Sequence, residues 1–154
     1  VADVLIVPAQ LDDAVLLAQN LRDSDRAEMR AYGHTDSHEV ALRRCVATSV
    51  LAWSAYIDGE LACILGVSPL SMVSGIGSPW MMGTPVLDAH SRILVRMTPE
   101  YIARMLKAFP HLVNFVHTKN RTSVRWLRRL GFTLHEAMPY GALGEPFHKF
   151  EMRG

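Results

Sequence analysis

Between Lys119 and Arg129 five of eleven residues are basic, and Asn120 stands near the head of the run. An asparagine at a strand end, followed by the free amides of a helix start, favours an anion, and Lys119, Arg121 and Arg125 add formal charge there. The same residues would equally make a solvated helix face. For proton transfer the candidates are His117 near a strand end, His90 in a loop, and Asp88. Histidine titrates near neutrality, which suits a general base, although single histidines are often structural or simply exposed. His34 and His38 have the spacing of a helical metal pair, but Asp36 serves better as a helix cap and leaves His34 outside, so no metal site is expected. Ser68, Ser71, Ser74 and Ser78 lack the Gly-x-Ser-x-Gly setting of a nucleophile. Trp53, Trp80 and Trp126 are far apart in sequence and read as core or rim residues.

Positioning the basic run falls to the stretch from Asn120 to Phe132. Val124, Leu127 and Leu130 form one apolar stripe at helical spacing, with Arg121, Arg125, Arg128 and Arg129 on its flanks. Gly131 supplies a left-handed stop. Leu112 to His117 precedes this helix as a strand. Further upstream, Val4 to Val7 reads as a first strand ended by Pro8. Helices are expected from Asp12, from Asp23 or Ser24 to Gly33, and from Asp36 with Glu39 closing a capping box. Leu51 to Ile57 and Leu61 to Val67 form a hairpin around Asp58-Gly59. Ser68 to Ser78 reads as a loop, and Pro79 to Leu87 as a fourth strand that Gly83 and Pro85 should bulge or leave partly unpaired. Thr98-Pro99-Glu100 announces a helix that runs to about Ala108. Phe132 to Met138 and Phe147 to Met152 close the chain as a pair of strands. The order βαααβββαβαββ is that of a mixed α/β sheet in a single domain over residues 1–154.

Composition narrows the partners. The chain has 154 residues, 49% hydrophobic and 20% charged, with a formal net charge of +1, so no nucleic-acid partner is expected. Cys45 and Cys63 are too few for a disulfide framework and read as reduced, buried residues. No apolar run reaches the roughly 20 residues of a membrane helix, so no membrane partner is expected. The start, Val-Ala-Asp-Val, has no basic segment before a long apolar one, and a cytoplasmic location is expected. Its lack of methionine suggests processing or numbering from a mature chain.

Asn120, Ser123, Leu127, Gly131 and Phe132, in a strand, helix, Gly-Phe, strand order, resemble the C-terminal signature of the GNAT superfamily of acyl-CoA N-acyltransferases. The resemblance implies a GNAT-like mixed sheet with splayed parallel fourth and fifth strands. It implies acetyl-CoA or CoA as the bound group, with Asn120 as a contact, Arg121 and Arg125 adding charge, and the strand backbone at Met82, Gly83, Thr84 and Pro85 pairing with the pantetheine arm. An acetyl group would pass to an amine, on a small molecule or a protein, by direct attack. Two departures stand out. The family's glycine-rich pyrophosphate loop is replaced by Leu87 to Met97, which contains no glycine, so Arg92 and Arg96 would have to supply guanidinium contacts instead. Where many members place a proton-donating tyrosine stands Leu127, leaving Tyr101, Tyr140 or water for that task. The Asn20 to Glu28 segment, Pro79 to Pro85, Asn114, the signature helix and Gly144 to Phe150 also resemble small GNAT-like proteins of tailed bacteriophages, in the internal virion or core-type group. That resemblance implies a non-catalytic alternative, with a virion or host protein as partner and a host-cytoplasmic or virion location.

Overall fold

The computed structural model describes residues 1–33 and 36–154, so the pairing of His34 with His38 falls outside the described residues. The elements are β1 (Val4–Pro8), α1 (Leu11–Gln19), α2 (Asp23–Tyr32), α3 (His38–Thr48), β2 (Leu51–Ile57), β3 (Glu60–Ser71), β4 (Ile76–Gly83), α4 (Pro85–Ala89), α5 (Ser91–Ala108), β5 (His111–His117), α6 (Arg121–Leu130), β6 (Thr133–Leu134), β7 (Met138–Tyr140) and β8 (Glu145–Arg153). They build one mixed sheet in the order β1-β2-β3-β4-β5-β8-β6, with β7 also on β8. Leu61 and Ile64, brought to one face by the bulge between them where β3 pairs with β2, pack toward Ala14, Leu17, Met29 and Leu42 of the first three helices. Leu65 and Val67 join Ile102, Met105, Phe109 and Val124 of α5 and α6 in the other cluster. Helices therefore cover both faces. Among the described residues no helix is long and apolar enough to cross a membrane.

Every strand pair but one is antiparallel; β4 and β5 run parallel and stay paired only at Ile76 with His111 and Gly77 with Leu112. The next residue of β4 facing β5 is Pro79, which has no N–H to continue the ladder. Its carbonyl is taken by the Asn114 side chain, Nδ2 to O at 2.6 Å, while Asn114 Oδ1 accepts from Phe115 N–H at 2.8 Å. A side-chain amide has replaced a main-chain rung. Beyond it the strands part and leave a slot through the sheet.

Several boundaries differ from those expected. Ser68 to Ser78 is mostly sheet, since β3 and β4 extend past it as one hairpin, with Ser68 opposite Ser78. β4 stops at Gly83, because Thr84 caps α4: its Oγ1 accepts from Val86 N–H at 3.2 Å, and Pro85 occupies the first turn. Conversely, Thr98-Pro99 is no helix start. Pro99 lies inside α5, which begins at Ser91 and buries Leu94, Thr98, Tyr101, Ile102 and Met105 in one stripe. That burial offsets the roughly 3 kcal/mol an interior proline costs. The closing segment is split: β6 and β7 lie in turn along the same edge of β8, separated by His135 to Ala137.

Candidate functional site

The slot between β4 and β5 is a cavity of about 250 Å³. Glu28, Tyr32 and Cys45 line it from one side of the sheet, and Trp126, Leu127 and Phe150 from the other. On its β5 wall every main-chain group facing inward past the Asn114 bridge is occupied. Phe115 C=O accepts from the Tyr32 hydroxyl at 2.8 Å, His117 N–H donates to Glu28 Oε1 at 2.7 Å, and His117 C=O accepts from Asn120 N–H at 3.0 Å. The β4 wall is different. Gly83 N–H donates to Asp25 Oδ2 at 2.8 Å and Gly83 C=O accepts from Arg22 N–H at 2.9 Å, so residues two apart on β4 point their amides away from β3. Met81 therefore presents its N–H and C=O to the slot, where no strand meets it.

A second cavity, about 270 Å³, opens beside the slot between α4, the start of α5, and α6. Arg22, Asp88, Ser91, Thr122, Ser123, Arg125 and Arg129 give it its polar wall, and Met81 and Trp126 line both spaces. Among the described residues the buried Trp126 indole Nε1 has no hydrogen-bond partner. Arg22, itself buried, grips Asp25 with Nε and Nη2 at 2.9 and 3.0 Å and reaches Asp88 with Nη1 at 3.0 Å. Burial opposes the Arg22 charge, but Asp25 and Asp88 more than offset it, and its pKa is raised.

The expected site residues are distributed unevenly. Arg125 lines the second cavity; Met82 lines the slot, but its main chain faces β3 opposite Ile64 and is not the one open to a ligand. Asp88 stands at the arginine cavity with its side chain 61% exposed, paired to Arg22 and away from the slot that Glu28 lines. Asn120 lines neither space: its Oδ1 caps α6 by accepting from Ser123 N–H at 3.4 Å, and the amide approaches Glu28 although among the described residues Nδ2 has no partner of hydrogen-bond geometry. Arg121 is exposed and lines neither cavity.

Several expectations need correction. Gly83 and Thr84 cannot offer main chain to a ligand, because Gly83 is held by Asp25 and Arg22, and Thr84 N–H donates to Ala62 C=O at 2.9 Å. Arg92 and Arg96 are exposed and do not line the arginine cavity; the α5 residues that do are Ser91, Leu94 and Val95, on another face of the helix. Tyr101 is buried in the core against Trp53, ring centroids 4.9 Å apart, with the Arg104 guanidinium over its ring, and cannot donate into the slot. His117 is only 6% exposed and held on both ring nitrogens, Nε2 by Glu145 at 2.9 Å and Nδ1 by Lys119 N–H at 3.0 Å. Its role is to fix the end of β5. Tyr140 stacks on Phe115 with centroids 3.8 Å apart and does not line the slot.

Sequence reasoning missed Glu28, Met81, Arg129 and Trp126. Arg129 was visible only as a basic flank residue and Trp126 only as a core or rim residue. Glu28 sits in the middle of a charged helix, DSDRAEMRAY, where nothing marks one acid from another. Here burial pushes its carboxyl up to about 7, Asp25 adds to the rise, and His117 N–H, Asn120 and Arg22 oppose it. Tyr32 is pushed well above the ordinary phenol value by burial and by Glu28, so it stays protonated. No group of three or more potential ligands for a metal occurs among the described residues.

No protein-family model matches the sequence, and no curated protein matches it. Solved structures do. An acetyltransferase of the GNAT family from Streptococcus pneumoniae aligns over 99% of this chain and 100% of its own at 15% identity and TM-score 0.65. The ribosomal-protein-S5-alanine acetyltransferase of Vibrio fischeri aligns over 99% and 96% at 16% identity and TM-score 0.71. The PaiA N-acetyltransferase of Thermoplasma acidophilum, solved with coenzyme A, aligns over 99% and 99% at 15% identity and TM-score 0.67. With the parted parallel strands and the element order, these likenesses establish that the chain has the GNAT fold.

Proposed function

We propose that this protein is an acyl-CoA-dependent N-acyltransferase, acetyl-CoA being the donor that the resemblance to GNAT enzymes suggests. The reading rests chiefly on the Met81 main-chain pair, left open at a slot whose opposite wall is fully bonded. An extended pantetheine arm carries amides that can pair there as a strand would. The unpartnered Trp126 N–H between the two cavities is a second donor awaiting an acceptor. Arg125 and Arg129 would hold phosphates by charge-assisted hydrogen bonds, where relatives of this fold use bare loop amides. When bound, the coenzyme supplies a thioester: an amine forms the C–N bond as the C–S bond breaks, and the sulfur leaves as a thiolate that water protonates.

A thermal scan and calorimetry with acetyl-CoA and with coenzyme A test the reading. Binding at 100 times Kd stabilises by about 2.7 kcal/mol, and a clear rise in Tm with heat of binding is expected. No rise and no heat at millimolar ligand would overturn it. One observation favours a second reading, a non-catalytic scaffold: after β4, where the resemblance would put a glycine-rich loop, the chain turns into α4, whose Asp88 pairs with Arg22. On that reading the resemblance to phage internal virion proteins would supply the role, with a virion or host protein as partner.

A further inference from the structure

Two carboxylates line the slot, and they differ in how they are used. Asp25 is 2% exposed and consumed by Arg22 and by Gly83 N–H. Glu28, on the next turn of α2, makes one hydrogen bond of good geometry among the described residues, accepting His117 N–H at Oε1. Around Glu28 the wall includes Met29, Tyr32, Trp80, Phe115 and Leu127, apolar or aromatic surface that a bare ammonium could enter only beside a negative charge; Arg22, which also lines the slot, has its charge paired with Asp25 and Asp88. His117 and Tyr32, also ionisable and close by, are engaged elsewhere, and burial raises the pKa of the Cys45 thiol, which lines the same slot.

We propose that Glu28 receives the acceptor: it binds a primary amine carried on an apolar or aromatic group and takes one proton from its ammonium nitrogen. The lone pair is thereby freed for attack, and the proton passes from Glu28 to water; no bond to the protein forms. His117 N–H holds Oε1 in either protonation state, so the carboxyl keeps its position through the transfer. Arg22 and Asp25 face Glu28 from its own helix, and Asn120 from the start of α6. Burial is the main cause that lifts the Glu28 carboxyl to about 7, which leaves it able both to accept and to release a proton near neutrality.

The inference deepens the acyltransferase reading, yet its test does not depend on it. With carboxyl-labelled glutamate, the Glu28 resonance of the whole protein is titrated by NMR with and without 2-phenylethylamine. The expected result is a midpoint near 7 that falls when the amine is present. An ordinary midpoint, or one that the amine leaves in place, overturns the proposal. Glu28→Gln can still accept from His117 N–H; it should stay folded, with Tm at neutral pH no lower than that of the wild type, and keep the acetyl-CoA response while losing amine binding. Where thiol release from acetyl-CoA is measurable, Glu28→Gln should lower kcat/KM on the order of 100-fold and abolish the acid limb of its pH profile. Retention of that limb would also overturn the proposal. Failure of acetyl-CoA to bind the wild type overturns the coenzyme reading alone and leaves the amine site standing.

Discussion

Arg125 and Arg129 share the arginine-lined cavity with a carboxylate, Asp88. Asp88 pairs with Arg22 at its rim, with its side chain 61% exposed, so that pair is worth little to stability. Its charge matters more to an incoming anion. Replacing Asp88 with Asn should therefore tighten binding of coenzyme A severalfold, whereas Arg125→Ala and Arg129→Ala should each weaken it about tenfold or more, as loss of a charge-assisted contact does. Titration calorimetry of the three variants checks the direction, and the effect should shrink as salt rises. These residues were partly legible. The basic run announced an anion site, but which arginine faces the cavity is set by the helix rotation that Val124 and Leu127 impose by packing inward. The sequence offers Asp88 as a proton acceptor, an expectation that its pairing with Arg22 and its place outside the slot do not support.

At the scale of elements, two prolines open the sheet and shape the chain beyond it. Pro79 withholds one N–H from the β4 to β5 ladder, and Asn114 fills the gap by bonding both strands. Asn114→Ala would leave Pro79 C=O and Phe115 N–H without these partners at the throat of the slot. It should destabilise the fold by about 1–3 kcal/mol, read as a fall in Tm. Thr84-Pro85 then turns the chain into α4, and the identical dipeptide at Thr98-Pro99 does nothing of the kind. Local chemistry is the same in both. At Thr84 a strand has just ended and free amides need a cap; at Thr98 the hydroxyl bonds back to Leu94 C=O at 2.5 Å within a helix already anchored by its buried stripe.

For the whole molecule, two glutamates give stability opposite dependences on pH. Glu151 ties β5, β8 and the chain beyond β6 together, with His111 Nε2 at 2.8 Å and His135 Nε2 at 2.5 Å from its carboxylate. Those contacts hold its carboxyl down at about 2 against an ordinary 4.5. Its contribution is present above the unfolded value and is lost as pH falls from about 4.5 toward 2. Glu151→Gln should flatten that acid limb in denaturant titrations. Glu28 acts in the other sense: its raised carboxyl favours the folded state at low pH, and that contribution is lost as pH rises from 4.5 through about 7. Glu28→Gln should remove the decline and raise relative stability at neutral pH.

The sequence by itself determined the layered α/β class, the Asp58-Gly59 hairpin, the basic helix from Arg121 to Leu130 with its glycine stop, and the likeness that led to a slot between parallel strands. The hairpin, the helix and its stop are local signals, carried by periodicity and turn chemistry over a dozen residues or fewer, whereas the slot is what the resemblance carried by Asn120 to Phe132 implies. Only the tertiary structure decided which groups meet. Glu28 and His117 are 89 residues apart, and Arg22 and Asp88 are 66 apart. Burial sets the Glu28 proton, and the missing neighbour of Met81 leaves its amide open; both depend on what packs nearby, which no spacing along the chain encodes.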